Sequence, residues 1–394
     1  MSITSIVYKK ELKDMFRDKK TLVAAILIPF LLYPIIFGLM GKGIKDNMDY
    51  VDKGIEIALV DEGNSKLGEF IKSQDNVKIK ESKNILEDVK EGKLILGLEI
   101  PEDFDKNISG EKKADIIIKY DNTSQKSSMA MSYINGIIEE YSKGIVAQRL
   151  QSKNIDTSIL TPIDTITKSP EKEESGFGKM MLSLMLPMML VIFAASGPIA
   201  SATDLGAGEK ERGTLEPLLT TQANRMSLLC GKFLAITTMG VVTSLAFVGG
   251  LGLSMKMSPE AFNYGMEEAS FALEPKALVI MVILTILLTM VFGALALAIS
   301  MYARSFKEAQ TYLTPLSFVG MLGFTSYFIE PKTMSMGLLH IPIINVVVVI
   351  KELTLGIFNF AHLGIVLLWM LIYIGISISF ARYMFSKEEV IFRT

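Results

Sequence analysis

A short charged segment carries the clearest chemical pattern in the sequence. Six charged residues lie between Asp204 and Glu216, around the stretch GEKERGTLEPLL, and uncharged runs flank the segment on both sides. Such a segment cannot lie in hydrocarbon, since each charge costs about 2.5–3.5 kcal/mol at the centre of a spanning helix. Leucines at positions 215, 218 and 219 give it an apolar side. The pattern predicts a short amphipathic helix at the membrane surface that offers its charges to a docking partner and its leucines to the membrane, with a merely solvated loop as the alternative.

The sequence has little of the chemistry of an enzyme. No G-x-x-x-x-G-K-[ST] pattern occurs, so we expect no P-loop that would hold ATP phosphates. The segments EEVIFR and FNFAH match in form two motifs of prenyl-protease-like membrane enzymes, but their order is reversed. The single Cys230 excludes an intrachain disulfide and a cysteine metal cluster, and the net charge of −2 gives no basic field for nucleic acid. We therefore expect no catalytic residue, metal or cofactor on this chain.

The apolar residues lie in runs long enough to cross a membrane. They make up 50% of the 394 residues, and about 17–25 consecutive apolar residues suffice for a spanning helix. The uncharged runs are 21–40, 180–203, 233–255, 277–303, 309–329, 333–350 and 353–381. The sequence therefore predicts a polytopic α-helical protein of the cell membrane.

The distribution of Lys and Arg predicts its orientation. Basic residues concentrate in the leader, in residues 204–232, in residues 304–308 and in the tail 384–394, which places these segments and both termini in the cytoplasm. Two cytoplasmic termini require an even number of spans, so the shortest run is predicted to be an outer re-entrant element, 333–352, although a true span stays open. Its candidate residues are His340, Pro342, Asn345 and Glu352. The six predicted spans are 21–40, 179–203, 233–255, 277–303, 309–329 and 353–383.

The leader, residues 1–20, has the spacing of an amphipathic helix. Tyr8, Leu12, Met15 and Phe16 recur at helical intervals, while Arg17 and most of the lysines fall elsewhere. This pattern favours a helix that lies in the inner surface of the bilayer. A basic tail that only sets the topology is the alternative.

Residues 41–178 are polar and charged, unlike the rest of the chain. Segments 54–62, 76–80, 94–100 and 115–120 read as strands, helical spacing lies between them, and a longer helix is predicted over 124–150. A segment of this length can form its own core. We predict an extracellular α/β domain inserted between spans 1 and 2, with 154–175 as the return linker.

The charged segment resembles the type-2 ABC transporter permeases, and among them the sodium-efflux permeases. GEKERGTLEPLLTTQANRMSLLCGK follows the family pattern E-[RK]-E-R-G-T-[LM]-E-x-L-L, which ends in a G-K pair, although QANRMSLL lacks the proline expected before Arg225. YARSFKEAQTYLTP, IPIINVVVVIKELTLG and KEEVIFR are similar to the same subgroup, in the same order. The resemblance extends from the leader to the tail.

The resemblance implies the membrane subunit of an ATP-driven exporter. Such permeases pair as homodimers or with a second permease subunit in the bilayer, and they bind separate cytoplasmic ATPase subunits, which hold the ATP. The residues that would couple to the ATPase are Glu209, Glu211, Arg212, Gly213, Thr214, Glu216 and Arg225. The leader would be the second contact. The implied substrate is Na⁺, with drugs, peptides or lipids as alternatives, and a non-transporting scaffold or sensor with an extracellular ligand-binding domain is the alternative from another class.

Overall fold

The structure, a computed structural model, describes residues 2–82, 84–160, 162–163, 166, 173–220, 223–263 and 273–387. The chain divides into two compact units. We call Met1–Lys42 with Glu171–Thr394 the membrane unit, and Gly43–Pro170 the inserted unit. Residues 161, 164–165 and 167–172 of the predicted linker 154–175 lie outside the described residues, as do residues 388–394 of the predicted tail 384–394.

The first helices lead into the inserted unit, and the last of them ends within its residues. They are α1 (Ile3–Met15), α2 (Lys19–Leu22) and α3 (Ile28–Asp52), with a π-helical turn at Val23–Leu27 before α3. The inserted unit follows with β1 (Ile55–Asp61), α4 (Lys66–Lys72), β2 (Val77–Lys80), α5 (Ile85–Lys90), β3 (Leu96–Ile100), α6 (Phe104–Ser109), β4 (Ile117–Tyr120), α7 (Gln125–Ser152) and a 3₁₀ turn at Thr157–Leu160. A strand therefore lies in each of the four segments that the sequence predicted as strands.

The inserted unit is a four-stranded sheet of order β2-β1-β3-β4. β1 pairs in parallel with β2 and β3, and β4 pairs antiparallel with β3. Because successive side chains of a strand point to opposite faces, β1 sends Ile57 to one face and Ala58 to the other. Ile57 joins a core that includes Ile134 of α7, and Ala58 packs with Ile85 of α5. Helices thus cover both faces of the sheet.

The membrane unit continues with long helices. They are α8 (Glu173–Thr203), a π-helical segment (Asp204–Gly208), α9 (Glu209–Glu211), α10 (Leu215–Thr220), α11 (Arg225–Met257), α12 (Pro259–Asn263), α13 (Pro275–Tyr302), α14 (Phe306–Gly320), 3₁₀ turns at Met321–Tyr327 and Met336–His340, α15 (Ile344–Thr354) and α16 (Phe360–Ser386). Among the described residues, five helical stretches are long and apolar enough to cross a membrane. They are Ala25–Asp46, Lys179–Glu211, Arg225–Met257, Pro275–Tyr302 and Phe360–Ser386.

The predicted fifth span, 309–329, is not one continuous α-helix. α14 has 15 residues and gives way to a 3₁₀ turn of 7 residues. Gly323 in this turn lies against the backbone of α8, since a Cβ added to it would lie 2.7 Å from the Cα of Met188. The hydroxyl of Ser326 donates to the carbonyl of Leu184 at 2.7 Å. These contacts hold the turn close to α8. A total of six spans, with 309–329 as one of them, stays a prediction.

The last predicted span begins later than residue 353. Leu353 belongs to α15, the chain turns at Gly356 with a φ of 77°, and Asn359 caps the first turn of α16. The start at 353 was wrong because an uncharged run of sequence does not reveal a turn that a single glycine makes. The 11 residues of α15 rise about 17 Å, little more than half of the roughly 30 Å of a bilayer core. This length fits a re-entrant element, which remains a prediction.

α3 and α11 pack closely through a glycine. A Cβ added to Gly250 would lie 2.1 Å from the carbonyl oxygen of Phe30, so only glycine fits the contact. Around it, Tyr33 and Phe247 make an edge-to-face ring contact with centroids 4.8 Å apart. Close approach at a small residue is a general way for membrane helices to gain packing.

We expect Gly250→Ala to destabilise the membrane unit by about 1–3 kcal/mol, because the added methyl group overpacks a tight contact. Gly252→Ala is the matched control, because no atom lies within 4 Å of the position its Cβ would occupy. Thermal unfolding of the two variants in the same detergent measures the difference. Equal midpoints would contradict the close packing of α3 on α11.

Candidate functional site

The helix that precedes the charged segment widens into a π-helical turn. α8 continues through Asp204–Gly208 into α9. In a π-helical turn the backbone hydrogen bonds span five residues, so some amides and carbonyls lose their usual α-helical partners. Ser300 of α13 supplies partners for them, since its hydroxyl accepts from the Ala207 amide at 3.0 Å and lies 3.4 Å from the Thr203 carbonyl. The segment that follows turns Glu209 inward, where it is 5% exposed, while Glu211 is exposed.

Glu209 belongs to a buried group of charges. Lys232 of α11 is fully buried, and its ammonium lies 2.6 Å from the Glu209 carboxylate and 3.2 Å from the carboxylate of Glu11 on α1. Lys10 lies at the rim, 3.3 Å from Glu11 and 3.5 Å from Glu209. We call Lys10, Glu11, Glu209 and Lys232 the charge cluster. The charges of its two carboxylates and two ammonium groups cancel, which lowers the cost of burying them. The cluster joins α1, α9 and α11.

The two carboxylates of the charge cluster change the pKa of Lys10 at its rim. Partial burial on its own lowers the pKa of Lys10, but the carboxylates of Glu11 and Glu209 outweigh this effect and hold the pKa above its ordinary value. Both neighbouring acids therefore favour the charged form of Lys10. The cluster keeps its positive rim over the physiological pH range.

α1 reaches Lys232 because the residue before it is glycine. A Cβ added to Gly231 would lie 2.7 Å from the side chain of Val7, so α1 lies directly on α11. The hydroxyls of Tyr8 and Thr238 share a hydrogen bond of 3.1 Å farther along the same contact. The buried side chains of α1 are Val7, Glu11 and Met15.

The last residue of α9 and the five residues that follow form a largely exposed tip, which we define as Glu211–Glu216. Gly213 adopts a φ of 68°, a conformation that favours glycine, and so lets the chain turn back into α10. The amide and hydroxyl of Thr214 both donate to the Glu209 carbonyl, at 2.9 and 3.1 Å. Leu215 is buried, whereas Glu216 is exposed.

Three further contacts hold the tip and Lys210, the residue before it. Arg212 pairs with Asp204 at 2.8 Å, and this hydrogen bond raises the pKa of the guanidinium. The Glu211 carboxylate accepts from the Phe306 amide at 2.7 Å, at the start of α14. The Lys210 ammonium donates to the carbonyls at the end of α13, those of Met301 and Ala303 at 3.4 and 3.3 Å. The tip is therefore tied to the α13–α14 connection as well as to α11.

The predicted re-entrant residues belong to a separate set of contacts. Exposed His340 accepts from the Trp369 ring nitrogen on α16 at 2.9 Å, and exposed Pro342 leads into the turn before α15. Asn345 is fully buried, and its amide nitrogen has no hydrogen-bond partner among the described residues. Its amide oxygen accepts from the Val346 amide at 2.9 Å.

Charged side chains anchor the C-terminal end of α15 on both sides. The Lys351 ammonium donates to the carbonyls of Ser326 and Ile329, at 2.5 and 2.7 Å. The Glu352 carboxylate lies 2.7 Å from Nδ1 of His362 on α16, and their side chains are 3% and 11% exposed. These contacts hold α15 between the 3₁₀ turn and α16.

The comparison with known families agrees with this architecture. The model of the ABC-2 family transporter protein matches residues 19–383. The chain belongs to the ABC-2 family. It is 30% identical over 392 residues to the ABC transporter permease protein NatB of Bacillus subtilis (strain 168), and the alignment covers 98% of each chain. The resemblance seen in the sequence is confirmed: the chain is a multi-pass membrane permease, and in this family a separate subunit carries the ATPase activity.

The predicted coupling residues lie in different surroundings in the permease. Glu209 is buried in the charge cluster, Arg212, Gly213, Thr214 and Glu216 lie exposed at the tip, and exposed Arg225 begins α11 beyond the tip. Glu211 is exposed, but its carboxylate also accepts the hydrogen bond from the Phe306 amide of α14. The contact with an ATPase that the sequence predicted for this set stays a prediction.

The predicted membrane face of α1 is only partly free in the permease. Met15 is buried against protein, Tyr8 and Leu12 are half-buried, and Phe16 and Arg17 are exposed. The sequence pattern missed Val7 and Glu11, which carry the contact with α11. A signal was present, since Glu11 is the only acid among the first 13 residues of a basic leader.

We expect His362→Ala to cost about 2–3 kcal/mol of stability, because it leaves the buried Glu352 carboxylate without its charged hydrogen bond. The other histidine of the chain, exposed His340, is the matched control, and His340→Ala should cost about 1 kcal/mol or less. His362→Gln, which keeps a donor, should recover part of the loss. Thermal unfolding in detergent ranks the three variants, and equal losses at the two histidines would contradict the anchoring of α15.

Proposed function

We propose that this permease is the membrane subunit of an ATP-driven exporter, energised by a separate cytoplasmic ATPase that docks on the exposed tip and on α1. The observation that carries the proposal is the charge cluster. It links Glu209, two residues before the tip, to α11 and α1 through buried ion pairs, so a displacement of the tip is passed to a spanning helix. A loop that served only as a turn would have no use for buried charges, whose desolvation is costly.

Force applied at the tip has two routes into the membrane unit. One passes through Glu209 to Lys232 on α11. The other passes through Glu211 and Lys210 to the junction of α13 and α14. Because α11 and α13 both have spanning length, one docking surface can move two spans together.

The proposal requires the tip in the cytoplasm and the inserted unit outside. The basic residues of the leader and of residues 204–232 support this orientation. In a Cys230→Ser background, a cysteine at position 120 should react with an impermeant maleimide in intact cells. A cysteine at position 307 should react only after the cells are permeabilised, and the reverse pattern would overturn the orientation.

Na⁺ is the proposed substrate. Its support is the likeness to NatB over 98% of both chains, together with the resemblance to sodium-efflux permeases. A hydrophobic compound is the second candidate, because α8, α11 and α13 enclose an apolar cavity of ≈ 150 Å³ lined by Leu190, Leu251 and Met281. The lining of this cavity carries no charged residue, which suits that candidate better than a cation.

Transport by reconstituted vesicles tests the function and separates the substrates. The permease is reconstituted with a cytoplasmic P-loop ATPase that co-purifies with it, and uptake of ²²Na⁺, of other cations and of fluorescent hydrophobic drugs is followed with and without ATP. We expect ATP-dependent movement of Na⁺. Drug movement alone would replace Na⁺ by the second candidate, and a stable complex that moves nothing would support a sensor instead.

A further inference from the structure

A cleft between α11 and α16 carries two arginines at one end. The first turn of α11 and the last turns of α16 line a cavity of ≈ 190 Å³. Arg225 of α11 and Arg382 of α16 lie there with the polar residues Asn224 and Ser386. Both arginines are exposed, so the cavity is basic and open.

The same cleft continues as an apolar groove. An adjoining cavity of ≈ 180 Å³ is lined by Phe233 and Leu234 of α11, Leu297 of α13 and Ile378 of α16, and Leu229 lines both cavities. Leu234 is 41% exposed, so the groove opens to the side of the membrane unit. The cleft therefore has a basic end and an apolar length.

The basic end lies at the depth of lipid head groups. On the last turns of α16, Lys387 stacks over the ring of Tyr383 at 4.7 Å, and aromatic and basic residues of this kind mark the membrane interface. Earlier in α16, Leu371 and Ile376 are each 62% exposed, as expected for side chains that face hydrocarbon. The apolar groove thus lies at the depth of the acyl chains.

We propose that this cleft binds an anionic phospholipid from the leaflet on the side of the tip. Its phosphate would lie between Arg225 and Arg382, and part of one acyl chain would lie along Phe233 and Leu297. Arginine favours phosphate because its planar fork of donors matches two phosphate oxygens. Basic pockets between spanning helices select anionic lipid by the same electrostatics. The commitment to lipid rests on this complementarity of charge and on the apolar length that follows it.

Native mass spectrometry of the delipidated permease tests the site. Dioleoylphosphatidylglycerol is titrated against dioleoylphosphatidylcholine, with thermal unfolding of every variant as a check of folding. We expect the wild type to prefer the anionic lipid, and each arginine removed to weaken its binding about fivefold. Arg225→Gln with Arg382→Gln should therefore lose about 25-fold. Arg225→Lys with Arg382→Lys, which keeps both charges but loses the fork of donors, should lose less affinity than the double glutamine variant.

The control variant is Arg304→Gln, an exposed arginine between α13 and α14 that does not line the cleft; it should bind the anionic lipid as the wild type does. Equal binding of the anionic lipid by the wild type and the double glutamine variant would overturn the proposal. Equal binding of the two lipids would also overturn it. So would inorganic phosphate that protects the permease against thermal unfolding as well as the anionic lipid does. A variant shortened to end at Lys387 is also tested. If it binds lipid about tenfold more tightly, residues 388–394 rather than lipid are the occupant of the cleft. Loss of dimers in the double variant would assign it to a second copy of the chain.

Discussion

Replacing Lys232 with methionine is expected to release α1 from α11 and to uncouple the permease from its ATPase. The ammonium of Lys232 lies within 3.2 Å of two buried carboxylates, those of Glu11 and Glu209. Methionine keeps an unbranched side chain of similar length but leaves both acids without their central partner. Removing one member of a buried ion pair typically costs about 3–5 kcal/mol. The remaining rim lysine, Lys10, is too exposed to balance both.

The loss has a local readout and a functional one. Release of α1 should make the backbone beside the exposed residues Lys9, Lys10 and Lys13 accessible to trypsin, so the first cleavage of the leader becomes faster. Stimulation of the ATPase by the reconstituted permease should fall at the same time. The matched control is Lys256→Met, an exposed lysine at the other end of α11, which should change neither rate.

A compensating variant separates charge from packing. Lys232→Met combined with Glu11→Gln and Glu209→Gln leaves no buried charge unpartnered, so it should recover most of the lost stability. If trypsin cleaves the leader of Lys232→Met at the wild-type rate, the charge cluster does not hold α1. If the compensated variant stays as unstable as Lys232→Met, the effect belongs to the shape of the side chain instead.

Local pattern was enough to predict much of this fold. β1 and β3 follow the rule that Ile, Val and Leu concentrate in strands of a buried sheet, and both occur where the sequence predicted them. The long apolar runs became α8, α11, α13 and α16 for an equally local reason. Their length and lack of charge exclude any other environment.

The charge cluster could not be predicted in this way, because it depends on contact between distant parts of the chain. Glu11 and Lys232 are 221 positions apart in the sequence. Lys232 was interpreted as the charged boundary of a span, since a lysine next to an apolar run ordinarily lies in water. Nothing within either segment states that Gly231 lets α1 approach closely enough to bury that lysine.

The division of residues 306–327 into α14 and a 3₁₀ turn has a similar cause. From residue 309 onwards the run is uncharged and largely apolar, so its composition matches that of a spanning helix. The turn is held by the contact of Gly323 with α8 and by the hydrogen bond from Ser326 to Leu184. Such contacts between helices leave no period in the sequence.

The tip should behave differently from the cluster beneath it, and Glu216→Lys is the variant that tests this difference. Glu216 is exposed in the first turn of α10, so its reversal should change the stability of the permease by no more than about 0.5 kcal/mol. If the ATPase docks on the tip, the reversed charge faces the partner directly. Placing like charges opposite each other in an interface costs several kcal/mol, so stimulation of the ATPase should fall at least about tenfold.

Glu209→Lys is the contrasting variant on the same segment. It adds a third ammonium to a buried site that already contains two, so both stability and stimulation should be lost. Glu216→Gln, which removes the charge without reversing it, should lie between the wild type and Glu216→Lys in stimulation and match both in stability. Co-purification of the ATPase with each variant reports docking separately from turnover. A Glu216→Lys permease that binds and stimulates its ATPase normally would remove the tip from the docking surface and leave α1 as the place where force enters.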